Sequence, residues 1–142
     1  MVKIQTTILV AAADAALSMR ICGALRERGY NVCTAQNSDA IRTQIRTVSV
    51  DLLVLGHALP GDNWLLTLQW LRNDPRTSVL PVIVLTGGME EADVYQGWQA
   101  GVDGFQSTRQ SALPALTQEL LAKIRRIFRS IEEDSLAQPD LS

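Results

Sequence analysis

The sequence predicts a doubly wound α/β domain built on a five-stranded parallel sheet. Apolar segments of strand length alternate five times with segments whose apolar residues follow helical spacing. Two of the strand segments, residues 52–55 and 81–85, are unbroken apolar runs, which is typical of parallel strands covered on both faces. The 142 residues, 46% of them hydrophobic, supply the core of one such domain and are too few for two.

Capping residues, a glycine and the hydrophobic pattern mark the ends of the first two strands and helices. Residues 8–10 form a short buried strand, and Asp14 stands at the N-cap position of a helix that Gly29 ends. Residues 31–35 alternate polar and apolar side chains, as an edge strand can. Ser38 is expected to cap the second helix.

The central strand, residues 51–55, ends at Gly56. After a short loop, Asp62 or Asn63 can begin a third helix, which Pro75 stops. The inward-facing residues of that helix are expected to be Trp64, Leu68 and Leu71.

The second half of the chain repeats the pattern. The strand at residues 81–85 ends in Thr86 and two glycines, which precede a fourth helix with Val94 and Trp98 on its inner face. Residues 102–106 supply the fifth strand. Five strands and helices of this size favour the strand order 2-1-3-4-5 of flavodoxin-like folds.

The last helix is predicted to be unusually long, from about residue 111 to residue 132. Its apolar stripe consists of Leu113, Leu116, Leu120, Ile124, Ile127 and Ile131. We therefore expect one domain over residues 1–132, and a polar, disordered tail over residues 133–142.

Composition excludes several classes of function. A net charge of -2 with dispersed basic residues predicts no nucleic-acid binding. No apolar run approaches the length of a membrane span and residues 1–7 lack an apolar signal region, so we expect a cytoplasmic protein without a membrane partner. Cys22 and Cys33 lack CxxC spacing and are expected to be buried, reduced thiols.

The carboxyl ends of the strands decide what chemistry such a sheet can perform, because ligands gather there. The first strand runs into Ala12 and Ala13, and the third ends at Gly56. None of these residues has a reactive or metal-binding side chain. The sequence therefore predicts no metal ion, no cofactor and no catalytic residue at this edge.

Several ordered motifs carry a resemblance to a known family. They are Ile-Leu-Val at 8–10, Arg-Gly-Tyr-Asn-Val at 28–32, Asp-Leu-Leu-Val-Leu at 51–55, Leu-Pro-Gly at 59–61, Leu-Pro-Val-Ile-Val-Leu-Thr at 80–86 and Ala-Gly-Val-Asp-Gly-Phe at 100–105. In this order and spacing, the chain from about residue 8 to residue 127 resembles the receiver domains of bacterial two-component response regulators.

The resemblance implies a signalling module of a phosphorelay. Receiver domains take a phosphoryl group from a histidine kinase on an aspartate, with Mg²⁺ held by that aspartate and an acidic pair. Matched by position, the acidic pair falls on Ala12 and Ala13, the acceptor on Gly56 and the lysine after the fifth strand on Thr108. Of the remaining functional positions, Thr86 is retained, and Phe105 stands at the aromatic switch position. The match therefore predicts a pseudo-receiver that is not an enzyme, is not phosphorylated on aspartate and acts through protein contacts.

Two other functions remain open. A displaced residue could accept the phosphoryl group, and the candidates are Asp14, Asp62 and His57, although each also has a plain role as a helix cap or loop residue. Alternatively, the emptied pocket around Gly56 could bind a small molecule, although few polar groups converge on it.

The end of the last helix suggests a surface for a partner. A helix over residues 111–132 would be roughly 30 Å long, whereas a strand of five or six residues spans under ~20 Å. Its apolar Ile127, Phe128 and Ile131 should therefore overhang the sheet. The resemblance implies that partners bind the face formed by helix four, strand five and helix five, which includes Trp98. The expected partner is another signalling protein, an output domain or a second copy.

Overall fold

The computed structural model describes residues 6–61, 63–87, 90–108 and 113–137. Five strands and five helices alternate along the chain: β1 (Thr7–Ala11), α1 (Ala15–Glu27), β2 (Asn31–Ala35), α2 (Ser38–Thr47), β3 (Leu52–Gly56), α3 (Trp64–Asn73), β4 (Val82–Thr86), α4 (Glu91–Gln99), β5 (Gly104–Ser107) and α5 (Leu113–Ala137). All strand pairs are parallel, and the order is β2-β1-β3-β4-β5. The predicted fold class and strand order are confirmed.

Alternate residues of the central strands build two cores, one on each face of the sheet. Ile8 and Val10 of β1 face α1 and α5, where they pack with Leu116 and Ile124. Leu9 faces the opposite side and packs with residues of α2 and α3. The side chains of β1 and β3 have little or no contact with solvent, as expected for apolar runs that are covered on both faces.

The helix caps agree with the sequence at two of three places. The Asp14 carboxylate accepts a hydrogen bond from Leu17 N at 3.1 Å, and the Asn63 side chain accepts one from Leu65 N at 2.8 Å. The prediction of Ser38 as the cap of α2 was wrong, because Asn37 accepts from Ala40 N at 2.8 Å and Ser38 is the first helical residue. Asparagine is an equally good N-cap, and Ser38 is buried instead.

The position of Trp98 is a second correction. Its helical spacing predicted a core residue, but 52% of its surface is exposed. Gly97 is the α4 residue that faces inward, because Phe105 and Trp64 fill the space around it: a Cβ at Gly97 would lie 2.5 Å from Phe105 Cζ and 3.0 Å from Trp64 Cη2. The Trp98 ring packs on the outer edge of Phe105, with 5.2 Å between ring centroids.

Strand β5 begins two residues later than the sequence predicted, because Asp103 belongs to a polar cluster that precedes the strand. Its carboxylate accepts from Val82 N at 2.8 Å and from the Arg72 guanidinium at 3.4 Å. Arg72 also donates to the carbonyls of Leu80 and Gly101, at 2.7 Å each. Burial lowers the pKa of Arg72 and raises the pKa of Asp103. This cluster joins α3 to the amino ends of β4 and β5.

Helix α5 continues to Ala137, five residues beyond the predicted end at residue 132. Ile127 and Phe128 are half-buried, whereas Ile131 is 48% exposed. The prediction that all three overhang the sheet was wrong for Ile127 and Phe128, which pack against the core on the α1 side, and Ile131 is the exposed one of the three. Within the described ranges, no helix is both long and apolar enough to cross a membrane.

Candidate functional site

The candidate site lies at the carboxyl edge of the sheet. Pairing of β3 with β1 places Leu55 beside Ala11, and pairing with β4 places Gly56 beside Leu85. This register gathers the four predicted positions of a vacated phosphorylation site, together with the retained threonine. They are Ala12, Ala13, Gly56, Thr86 and Thr108.

Gly56 stands too close to β1 for a side chain to fit without movement. A Cβ at this position would lie 3.2 Å from the Ala11 carbonyl oxygen and 3.5 Å from Ala12 Cα. The first distance is shorter than ordinary van der Waals contact, and its partner is backbone within a paired strand. A carboxylate at position 56 would therefore require β1 to shift by a few tenths of an ångström.

Two threonine hydroxyls at the edge are engaged with backbone carbonyls. Thr86 Oγ1 donates to Gln106 O at 3.4 Å, and Thr108 Oγ1 donates to Thr86 O at 3.3 Å. Thr108 N also donates to Thr86 O, at 3.0 Å. These bonds join the end of β4 to the segment after β5. Each hydroxyl hydrogen is directed at the protein itself, so neither is free to stabilise charge on a ligand.

His57 follows the vacant acceptor position, and its ring folds back on β4. Nδ1 lies 3.2 Å from Leu85 O and 3.4 Å from Gly87 N, so it donates to the former or accepts from the latter, depending on the tautomer. Its own backbone N–H also donates to Leu85 O, at 3.3 Å. These contacts give the side chain a structural role beside the site.

The remaining acidic candidates do not assemble with His57 into a reactive group. Asp14 is exposed and its carboxylate caps α1, while Asp62 lies outside the described residues. In the described part of the chain, no three His, Cys, Asp or Glu side chains come together at a distance suited to a metal ion. A cavity of about 190 Å³ lies here, and among its described lining residues Asp14 alone carries a carboxylate. Mg²⁺ prefers several charged oxygen ligands, so these residues do not fit that ion.

A second region concerns Phe105 and the predicted partner surface. A cavity of about 300 Å³ between α4, β5 and α5 is lined by Trp98, Phe105 and Ile127. Ile131 continues this surface along α5, next to Val79, which is 87% exposed. These residues form one apolar surface, which we call the α4–α5 surface.

Phe128 does not belong to the α4–α5 surface. Its ring packs on Tyr30, with 6.0 Å between centroids, against the core on the α1 side. Burial of the Tyr30 side chain raises its pKa. Of the four residues predicted for a partner surface, the structure therefore brings Trp98, Ile127 and Ile131 together and places Phe128 elsewhere.

Two polar arrangements near these sites had no clear signal in the sequence. Gln106 is 1% exposed, and its side chain donates to Glu119 Oε1 at 2.8 Å and accepts from Lys123 Nζ at 2.7 Å. Its place in a short strand could have indicated burial, but its partners lie 13 and 17 residues away on α5.

The second arrangement is on α2 and α3, where the Arg42 and Arg46 guanidiniums lie 5.4 and 5.9 Å from the ring centroid of Trp70. This stacking gives Trp70 a structural role as well as partial exposure.

Fold, strand order and site position together define the class of protein as a receiver-type signalling domain. Residues 8–120 match the response regulator receiver domain family, so the chain belongs to that family. It is 29% identical over 124 residues to the phosphate regulon transcriptional regulatory protein PhoB of Klebsiella pneumoniae, a match that covers 87% of this chain and 52% of PhoB. It is 32% identical to the DNA-binding dual master transcriptional regulator RpaA of Synechocystis, covering 86% of this chain and 48% of RpaA.

The chain thus spans about half the length of the curated relatives it matches. Among solved structures, a CheY-like response regulator receiver domain protein from Methanospirillum hungatei superimposes with a TM-score of 0.81 and 19% identity. That match covers 92% of this chain and 98% of the other. It supports the fold independently of close sequence similarity.

Proposed function

We propose that this receiver domain is degenerate: it passes a signal through protein contacts and is not phosphorylated on an aspartate. Receiver domains are signalling modules of two-component systems and are generally not enzymes. The observation that carries the proposal is Gly56, which has no side chain to act as a nucleophile. A Cβ added to it would lie 3.2 Å from the Ala11 carbonyl oxygen of β1. Losing the nucleophile removes the covalent step itself, whereas losing a helper group only slows it.

The neighbouring positions support the same conclusion. Ala12 and Ala13 cannot hold a metal ion, and the Thr108 hydroxyl is bonded to a backbone carbonyl. A transferring phosphoryl group needs cations or donors to stabilise its charge. Among the residues of this edge that the structure describes, acceptor, metal ligands and cationic group are therefore absent together. We infer that the site is inactive as a whole.

The test is phosphorylation in solution. The protein is incubated with acetyl phosphate and Mg²⁺, and its intact mass is measured against time. We expect no gain of a phosphoryl group. A gain of one phosphoryl group that is abolished by any one of Asp14→Ala, Asp62→Ala or His57→Ala would show a displaced acceptor and overturn the proposal.

The proposed contact region is the α4–α5 surface. Exposed apolar residues that cluster on one side of a domain are typical of protein interfaces. The partner would be another signalling protein, an output domain or a second copy; PhoB and RpaA are transcriptional regulators, and the match to this chain covers about half of each.

A second copy is the simplest partner to test. The mass in solution is measured by light scattering across a concentration series for the wild type, for Ile131→Glu and for Leu66→Glu. Leu66 is a matched control because it is 53% exposed but lies on α3. Self-association that Ile131→Glu alone weakens supports a dimer through this surface, whereas equal behaviour of both variants contradicts it.

A further inference from the structure

A groove between α1 and β2 lies beside the predicted site. It has a volume of about 410 Å³, within the range of small-molecule pockets. Its floor is formed by the ends of β1 and β2, and its wall by the α1 residues Ala15, Ser18, Met19, Cys22, Gly23 and Arg26. Ala15 and Arg26 are eleven positions apart, so the wall is roughly 16 Å long. We call this cavity the α1–β2 groove.

The charge in the groove has one sign. Arg26 is the charged residue among the lining residues, and no carboxylate lines the groove. Thr34 and Gln36 on the floor add a hydroxyl and an amide. No side-chain hydrogen bond or ion pair joins Arg26, Thr34 or Gln36 to another described residue. Three solvent-exposed polar side chains therefore line one cavity, and the positive charge of Arg26 favours an anion there.

Gly23 points to the same groove for a different reason. It lies in the interior of α1, where glycine is less favourable than alanine by roughly 0.5–1 kcal/mol. A Cβ at Gly23 would meet nothing within 4 Å, so packing inside the domain does not require this glycine. Its effect on the structure is to widen the groove at the middle of its wall.

The groove also continues toward the vacated site. Ala12 and Ala13 line both the α1–β2 groove and the cavity beside Gly56. The two cavities therefore adjoin at these small residues.

From these observations, we propose that the α1–β2 groove is a binding site for a small organic anion with an apolar body. The anionic group pairs with Arg26, the polar floor residues Thr34 and Gln36 orient the ligand, and its apolar body lies along Ala15, Met19 and Gly23. This inference is independent of whether the domain is phosphorylated and of which protein it contacts.

The test uses two fluorescent probes that differ in charge. 8-Anilinonaphthalene-1-sulfonate is an apolar anion, and N-phenyl-1-naphthylamine is its neutral analogue. Each is titrated into the wild type, Arg26→Glu and Arg20→Glu, with thermal melts confirming that every variant is folded. Arg20 is a matched control, because it is an exposed arginine of α1 that does not line the groove. We expect Arg26→Glu to weaken binding of the sulfonate about tenfold or more, as loss of a charge-assisted contact predicts, and Arg20→Glu to leave it nearly unchanged.

A variant with a larger side chain inside the α1–β2 groove provides a second test. Gly23→Leu places a side chain in the open space and favours the helix, so it should weaken both probes without unfolding the domain. Chemical-shift mapping of the bound sulfonate should mark amides of α1 and the end of β2. The inference is overturned by the absence of saturable binding, by equal effects of the two arginine variants, by unchanged binding in Gly23→Leu or by shifts confined to other faces.

Discussion

Three glycines allow a direct test of how tightly the sheet edge and the helix faces are packed. Gly23→Ala, Gly56→Ala and Gly97→Ala each add one methyl group, but into different surroundings. The new Cβ meets nothing within 4 Å at Gly23, a backbone oxygen at 3.2 Å at Gly56, and two aromatic rings at 2.5 and 3.0 Å at Gly97. None of the three has a positive φ, so backbone strain does not enter the comparison.

The expected free energies of unfolding follow from these distances. Gly23→Ala should stabilise the protein by about 0.5–1 kcal/mol, since alanine favours the helix and restricts the unfolded chain. At Gly56 alanine restricts the unfolded chain in the same way, but β1 must shift to make room for the methyl group. Overpacking of this kind costs about 1–3 kcal/mol, so we expect a net loss of stability of about 1 kcal/mol. Gly97→Ala should lose more, because Phe105 and Trp64 must both move.

Urea denaturation followed by circular dichroism measures the three values under one condition. For a chain of this length, a difference of about 2 kcal/mol between Gly23→Ala and Gly56→Ala corresponds to about 6 °C in melting temperature. The m-values should stay equal, since the exposed surface hardly changes. If Gly56→Ala stabilises the protein as much as Gly23→Ala, the β1 backbone yields easily and position 56 is not closed to a carboxylate.

Three further predictions concern fold stability. Arg72→Ala should destabilise the protein by about 2–4 kcal/mol because it leaves partly buried carbonyls without their donor and removes one of the two donors to Asp103, whereas Arg76→Ala, in an exposed pair, should have little effect; equal losses would refute the role of the cluster. Hydrogen bonds from Arg76 lower the pKa of Asp74, so their stabilisation is present above the unfolded value of about 3.9 and is lost as the pH falls through the lower folded pKa. Acid titration of stability should show a larger loss in the wild type than in Arg76→Ala, because that variant keeps the hydrogen bond from the backbone N–H of residue 76 to Asp74 Oδ1. Asn37→Ala should cost about 1 kcal/mol through loss of the α2 cap, and Asn73→Ala much less, by the same urea assay.

Local signals were sufficient to predict the fold. The apolar runs of β3 and β4 can be covered only by helices on both faces, and Gly29 has the positive φ of 89° that its place after α1 predicted. The same signals place Ala12 and Gly56 at the carboxyl ends of β1 and β3, where the structure also has them.

Features that depend on contacts between distant segments were not predictable. Helical spacing assigned Trp98 to the core, but Phe105 of β5 competes for the same space and admits only Gly97 there. The start of β5 was misplaced for a similar reason, because Asp103 bonds to Arg72 of α3, 31 residues earlier. The hydrophobic periodicity of α1 does not predict the α1–β2 groove, since a glycine in a helix can face either open space or packed side chains.

Under the proposal that this receiver domain is degenerate, it responds to a signal through binding alone, and this limits its behaviour. Phosphorylation changes a domain for the lifetime of a covalent bond, whereas a ligand shifts an equilibrium only while it is present. A ligand at 100 times its Kd stabilises the state that binds it by at most about 2.7 kcal/mol. Since Ala12 and Ala13 adjoin both the α1–β2 groove and the strand ends, a bound anion would act on the same edge that phosphorylation uses elsewhere in the family. The response of this domain should therefore be graded with ligand concentration and fully reversible on dilution.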